Sequence, residues 1–385
     1  MAQRVAIIGT GQTHHRSHRP DVTGREMIHE AVTRALEDCE LTIRDIDAIV
    51  IGNMDHFESV NFADTWSVDG SGGVMKPIMK ISTGGTTGAS VSIAAQYHVA
   101  SGLFDKVLAI GWEKNSESDT TGAIITCSDP IWDRFSYSGA ISSLATEAIG
   151  YINRTGATQE DAARVAVRDR GNALNNPYAH LRKAITVDEV MSSPMLAYPI
   201  KLLDVCPRTD GACALVMAAE DEAKKLAPQP AWIKSSAVRH TYTWFGDPDP
   251  NTGLISLQRA AADAYEKAGI TEPAKQLDVA ELYMPYSYAG LKWIEDLRFC
   301  SEGGGAKFVR EGHTAMDGMI PINPSGGVLS TNCIGATAML RVAEAAIQVM
   351  GKGGDRQVPN VNNAVATGFG GCWWSDVMIL TAEAP

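Results

Sequence analysis

Apolar and polar positions along the first hundred residues follow two rhythms. Arg4–Gly11, RVAIIGTG, is a short apolar run bounded by glycine, which predicts a strand buried on both faces. Thr23–Leu41 has helical spacing, with Ile28, Val32 and Leu36 on one face and Thr23 as N-cap. Ile46–Met54, IDAIVIGNM, and Lys106–Lys114, KVLAIGWEK, return to the strand pattern. Between them, Lys80–Gly102 leaves a strand, crosses a glycine–threonine cluster and becomes an amphipathic helix closed by Gly102. A strand, a tight turn and a helix start make an elbow, and the positive end of the helix dipole there favours an anion. Such a turn presents a nucleophile, yet its tip here holds neither Cys nor Ser. Apolar strands alternating with helices predict a layered α/β domain.

The pattern then returns. Ile255–Met284 matches Arg25–Met54: Ala35, Leu41, Thr42 and Asp47 correspond to Ala264, Ile270, Thr271 and Asp278, with two extra residues before the last. Gly84–Gly102 is answered by Ser330–Gly354. Setting Gly88 on Gly335 puts Gly85 opposite Asn332 and Thr86 opposite Cys333. A repeat of this length predicts two copies of one α/β unit and not a solenoid. The stretch from about Trp112 to Pro230 lacks the pattern and reads as an insertion. The expected division is 1–115, an inserted loop domain over 116–230, and 231–385.

Composition narrows the partners. With 385 residues, 45% of them hydrophobic, the chain can bury two or three cores. A net charge of -12 argues against a nucleic-acid backbone as partner. No window has the apolar length of a membrane span. Residues 1–11 lead directly into a strand, with no signal peptide visible. The seven cysteines are odd in number and none forms a C-x-x-C pair. These features predict a reduced, cytoplasmic protein without a metal in this chain.

Three segments carry a family resemblance. INPSGGVLSTNCIGAT (Ile322–Thr337) resembles the asparagine–proline–glycine–glycine run and G-H-P-x-G turn of thiolases. LLDVCPRTDGACALVMA (Leu202–Ala218) and GFGG (Gly368–Gly371) are similar to two further thiolase segments. With the duplication, the whole chain resembles the thiolase superfamily. Its nearest likeness is to sterol-carrier-protein-type thiolases and their bacterial degradative relatives. The resemblance implies a five-layered αβαβα core with an inserted loop domain, coenzyme A as substrate and product, and a homodimer. It also implies a small OB-fold, zinc-ribbon partner subunit.

The resemblance also marks where the chain departs from the family. The nucleophilic cysteine's position falls on Gly85, the histidine of the G-H-P turn on Asn332, and the His or Asn of a third motif on Tyr283. None of the nine histidines fills these places. The candidates for chemistry are Tyr283, Tyr286, Asn332 and Cys333, with Gly85, Gly370 and Gly371 as elbow and oxyanion glycines. Thr86, His240, Trp244 and Cys372 are looser candidates for substrate contact. A thiol at a helix start has a lowered pKa, which makes Cys333 a replacement nucleophile; direct attack by CoA is the other route. The expected activity is thiolase-type cleavage of a 3-oxoacyl-CoA in a degradative pathway, on a bulky substrate such as an aromatic 2-acylsuccinyl-CoA. The alternatives are a retro-aldolase acting on a 3-hydroxyacyl-CoA and a non-catalytic scaffold subunit. Tyr283 matches a tyrosine of the steroid side-chain aldolases, but STNCIG (Ser330–Gly335) has no tyrosine where their second one lies.

Overall fold

The computed structural model describes residues 3–58, 62–135, 139–241, 253–371 and 374–384. The first set of strands is β1 (Val5–Gln12), β2 (Ala48–Gly52), β3 (Ile78–Ile81) and β4 (Lys106–Lys114). A two-stranded ribbon follows, β5 (Met195–Ala197) with β6 (Ile200–Lys201). Then come β7 (Asp210–Ala219), β8 (Ala231–His240), β9 (Val279–Glu281), β10 (Asn363–Gly370) and β11 (Trp374–Thr381). Nine of these form one sheet in the order β3-β2-β4-β7-β1-β8-β11-β10-β9. Its two halves meet where β1 pairs antiparallel with β8, through Ala6–Trp232 and Ile7–Ala231. Outward from that seam, β1-β7-β4-β2 on one side is mirrored by β8-β11-β10-β9 on the other.

The repeat is visible in single side chains. Asp47 Oδ2 accepts the amides of Asp105 and Lys106 at 2.9 and 2.8 Å, fixing the start of β4 beside β2. Its counterpart Asp278 does the same for Asn362 and Asn363 at 2.8 and 2.7 Å, fixing the start of β10 beside β9. Each aspartate thus satisfies two amides that begin a strand.

Helix Gly24–Glu37 begins at Thr23, whose hydroxyl accepts the Glu26 amide in a capping box. It packs on β1 and β7, while helix Ile255–Ala268 packs on β8 and β11. Between the half-sheets lie two elbow helices, Thr87–Ala100 and Ile334–Val349, in contact with each other and with strands of both halves. This is the thiolase fold, a duplicated α/β unit in five layers. Every residue of Ile334–Val349 is buried, which explains its mostly apolar and small-residue character. Its buried charges are paired, Arg341 with Glu281 and Glu344 with Arg356. A Cβ on Gly88 would run into the Met339 backbone nitrogen, so glycine there sets how closely the elbow helices approach.

Strand β7 lies inside the stretch expected to be an insertion. It nevertheless stands between β4 and β1 as a fully buried central strand. Its run of small apolar residues suits burial on both faces. The helices Ala140–Thr155 and Gln159–Asn172 come from the same stretch, outside the sheet. At the sheet's edge, Met79 of β3 and the preceding Val74 and Met75 are exposed. Among the described residues no helix is long and apolar enough to cross a membrane.

Candidate active site

The elbow turn is held by threonines. Thr87 Oγ1 donates to the Gly84 carbonyl at 2.6 Å and accepts the Thr83 amide at 3.0 Å. Gly84 takes φ +63, and its missing Cβ would stand in open space. Gly85 has the opposite constraint, because a Cβ there would lie 2.5 Å from the Phe369 carbonyl oxygen. Gly370 backs the turn, with its would-be Cβ 3.3 Å from the amide nitrogens of Gly85 and Thr86. The Thr86 hydroxyl is buried and donates to the Thr83 carbonyl at 2.8 Å. Thr86 thus bonds within the turn and is not among the residues that line the cavity described below. A hydroxyl chain continues from it. Thr86 lies 3.0 Å from Thr83 Oγ1, Thr83 donates to Ser90 at 2.8 Å, and Ser90 donates to Asp376 Oδ2 at 2.8 Å. Burial lifts the Asp376 carboxyl to about 7.

In front of the elbow lies a cavity of about 330 Å³. Gly84 and Gly85 form one side, Asn332 and Ile334 the facing helix start, and Tyr283, Pro285, Phe369 and Gly371 the C-terminal wall. The insertion closes it with Ile124, Ile141, Leu144 and the run Val205–Arg208. Gly85 and Asn332, aligned by the repeat, do face one cavity.

Asn332 is the best-fixed polar group there. Its backbone amide donates to Thr209 Oγ1, and its carbonyl accepts from Asn115 Nδ2 and the Thr209 amide, each at 3.1 Å. Thr337 Oγ1 donates to Oδ1 at 2.9 Å, which leaves Nδ2 to donate to Cys206 Sγ at 3.2 Å. Tyr283 is 4% exposed, and burial first, then the neighbouring Cys206 and Cys333, raises its phenol above the ordinary range. It therefore stays neutral and able to donate a hydrogen bond. Behind the second elbow, Glu113 Oε2 accepts the Gly335 amide at 3.0 Å. Burial and Glu58 hold that carboxyl well above the usual range.

Several expected residues lie elsewhere. Cys333 is fully buried, with its sulfur 3.9 Å from His15 Nδ1 and outside the cavity wall. Burial pushes its thiol up to about 12, which outweighs any lowering by the helix start. Tyr286 is also buried and donates to Glu147 Oε2 at 3.0 Å, with Lys292 Nζ 3.5 Å from the same oxygen. It ties the insertion to the C-terminal half and does not line the cavity. His240 is exposed at the end of β8, its ring 5.0 Å from that of Trp374. Trp244 and Cys372 lie outside the described residues. Cys206 and Arg208 line the cavity and were not singled out by sequence, where their segment served only as a family landmark.

Fold and cavity together define an enzyme-like α/β protein with a cavity between two duplicated halves. Residues 5–221 match the thiolase N-terminal domain, and residues 238–383 match the thiolase C-terminal domain-like family. The chain belongs to the thiolase family. It is 33% identical to the acetyl-CoA acetyltransferase of Methanothermobacter thermautotrophicus, over 95% of this chain and 96% of that protein. It is 32% identical to the benzoylsuccinyl-CoA thiolase subunit BbsB of Thauera aromatica, over 77% of each chain. Among solved structures, the Ltp2-ChsH2(DUF35) aldolase superposes with a TM-score of 0.86 at 26% identity, covering 100% of this chain and 99% of that one.

Proposed function

We propose that this chain cleaves the Cα–Cβ bond of a 3-oxoacyl-CoA, with free CoA as the attacking thiol, to give two thioesters. The observation that carries this reading is the convergence of Gly85, Asn332, Tyr283 and Gly371 on one largely apolar cavity between two helix starts. With glycine at the elbow and Cys333 buried away from the cavity, neither helix start presents an accessible thiol to carry an acyl group. CoA itself then attacks the ketone. The thioester carbonyl is assigned to the Asn332 side, and the alkoxide to Tyr283 and the glycine amides around Gly371, as donors held ready for the developing charge.

The acyl group is assigned as bulky and anionic, such as an aromatic 2-acylsuccinyl-CoA. The apolar wall supports the bulk. Arg208 supports the anion: it is the one charged side chain lining the cavity and has no hydrogen bond or ion pair among the described residues. The similarity to a benzoylsuccinyl-CoA thiolase subunit points the same way. A second reading, retro-aldol cleavage of a 3-hydroxyacyl-CoA, is favoured by the likeness to an aldolase structure and by the neutral phenol of Tyr283. Two assemblies belong to the proposal. One is a homodimer through the edge of β3; the other is a complex with a small zinc-bearing OB-fold subunit, supported by the DUF35 partner in that structure's name.

The test incubates the protein, alone and with its co-purifying partner, with a 2-acylsuccinyl-CoA. Cleavage that consumes free CoA and yields two thioesters supports the thiolase reading. Formation of an aldehyde or ketone from a 3-hydroxyacyl-CoA without added CoA supports the aldolase. Tyr283→Phe is expected to lower kcat about a hundredfold in either case. Unchanged turnover in Tyr283→Phe and Asn332→Ala together would remove this cavity as the site.

A further inference from the structure

Cleavage leaves an electron pair on Cα, and some group in the cavity must supply a proton to it. Four observations single out Cys206. It lines the cavity where the insertion meets the wall of Tyr283 and Pro285, and its backbone amide donates to the Pro285 carbonyl at 3.0 Å. Its sulfur receives the Asn332 Nδ2 hydrogen at 3.2 Å, and Thr337 holds that amide in place from the other side. It therefore sits beside the group assigned to the thioester oxygen, next to which the enolate carbon must lie. Burial also pushes its thiol up to about 12, so it enters the reaction carrying its proton. Tyr283 is raised further and keeps its proton more tightly. Cys127 also lines the cavity but is exposed, whereas the Cys206 sulfur is the one that Asn332 Nδ2 reaches.

We propose that Cys206 is the catalytic acid that protonates the leaving α-carbon, an assignment that rests on the cleavage reading above. The Cα–Cβ bond breaks and its electron pair passes to Cα, shared with the thioester oxygen. The S–H bond of Cys206 breaks and its proton goes to Cα, completing the second thioester. The sulfur keeps the S–H pair as a thiolate, stabilised by the hydrogen from Asn332 Nδ2. The next CoA thiol gives its proton to that thiolate. One transfer restores the acid and generates the CoA thiolate for the following attack. The sum is one 3-oxoacyl-CoA and one CoA converted to two thioesters, with no proton gained or lost by the protein.

The experiment compares the wild-type chain with Cys206→Ala and Cys206→Ser, in two assays. The first is cleavage of a 2-acylsuccinyl-CoA with free CoA. The second is deuterium uptake at the α-carbon of succinyl-CoA in D2O, followed by mass. Cys206→Ala is expected to lower both kcat and exchange about a hundredfold, with KM changed less than about threefold and the melting temperature kept. Cys206→Ser should recover part of the exchange. Wild-type rates in Cys206→Ala overturn the assignment alone. Cleavage lost with exchange intact also overturns it, because the thiol would then act at another step. If the wild-type chain neither cleaves nor exchanges, the cleavage reading fails and this assignment fails with it. A loss of melting temperature in Cys206→Ala moves the comparison to Cys206→Ser, where full activity would overturn the assignment.

Discussion

Single residues decide where charge and space are available. Cys333 has a place at a helix start but no access, so Cys333→Ala should keep kcat within about threefold. It should cost about 1–3 kcal/mol of stability through the small cavity it leaves, measured by steady-state kinetics and chemical denaturation. Asp376 makes a pH-dependent contribution. Burial lifts its folded value to about 7 from 3.8, so the fold binds this proton more tightly than the open chain does. Stability from the protonated form is complete below about pH 4 and lost as pH rises towards 7. Asp376→Asn cannot ionise, so it should gain up to about 4 kcal/mol over wild type at pH 8. The gain should vanish near pH 4; thermal melts across that range check the sign. Asn332 was legible because the repeat set it opposite Gly85, and Tyr283 because the family resemblance put it on a third motif. Cys206 was not: its contact with Asn332 spans 126 positions, and no periodicity encodes a side-chain meeting at that distance.

At the scale of elements, apolar runs announced the buried strands, and Thr23 announced its helix. The role of β7 was hidden. Its ten residues are buried throughout, as a fully covered strand requires, yet nothing local says that the chain returns between β4 and β1 after its excursion. Pairing of that kind is decided by the whole sheet. The elbow helices give a sharper expectation. Gly88→Val would set a branched side chain against the Met339 backbone and force the two helices apart. A cost of about 1–3 kcal/mol is expected from overpacking, together with lost turnover, because those helices also set the spacing of Gly85 and Asn332. Calorimetry and kinetics on one preparation measure both.

For the whole molecule, an apolar strand at a sheet edge is a surface that proteins cover or guard. Met79 stands exposed on β3 at the end of the nine-stranded sheet. Met79→Lys should shift the proposed dimer toward a monomer of 41.2 kDa, seen by sedimentation, with little change in the melting of the subunit itself. A wild-type chain that sediments as a monomer at micromolar concentration would remove the dimer from the proposal.

The seam between the half-sheets has one more consequence. Gly85 and Cys206 precede β8 in the chain, and Tyr283, Asn332 and Gly371 follow it. Neither copy of the duplicated unit contains a working half of the cavity. A chain divided at Ala227–Pro230, between the helix Glu220–Leu226 and β8, would yield two pieces that hold all the chemistry between them and none apart. Turnover in such a pair is a direct count of reassembled molecules, which makes this fold a natural complementation reporter.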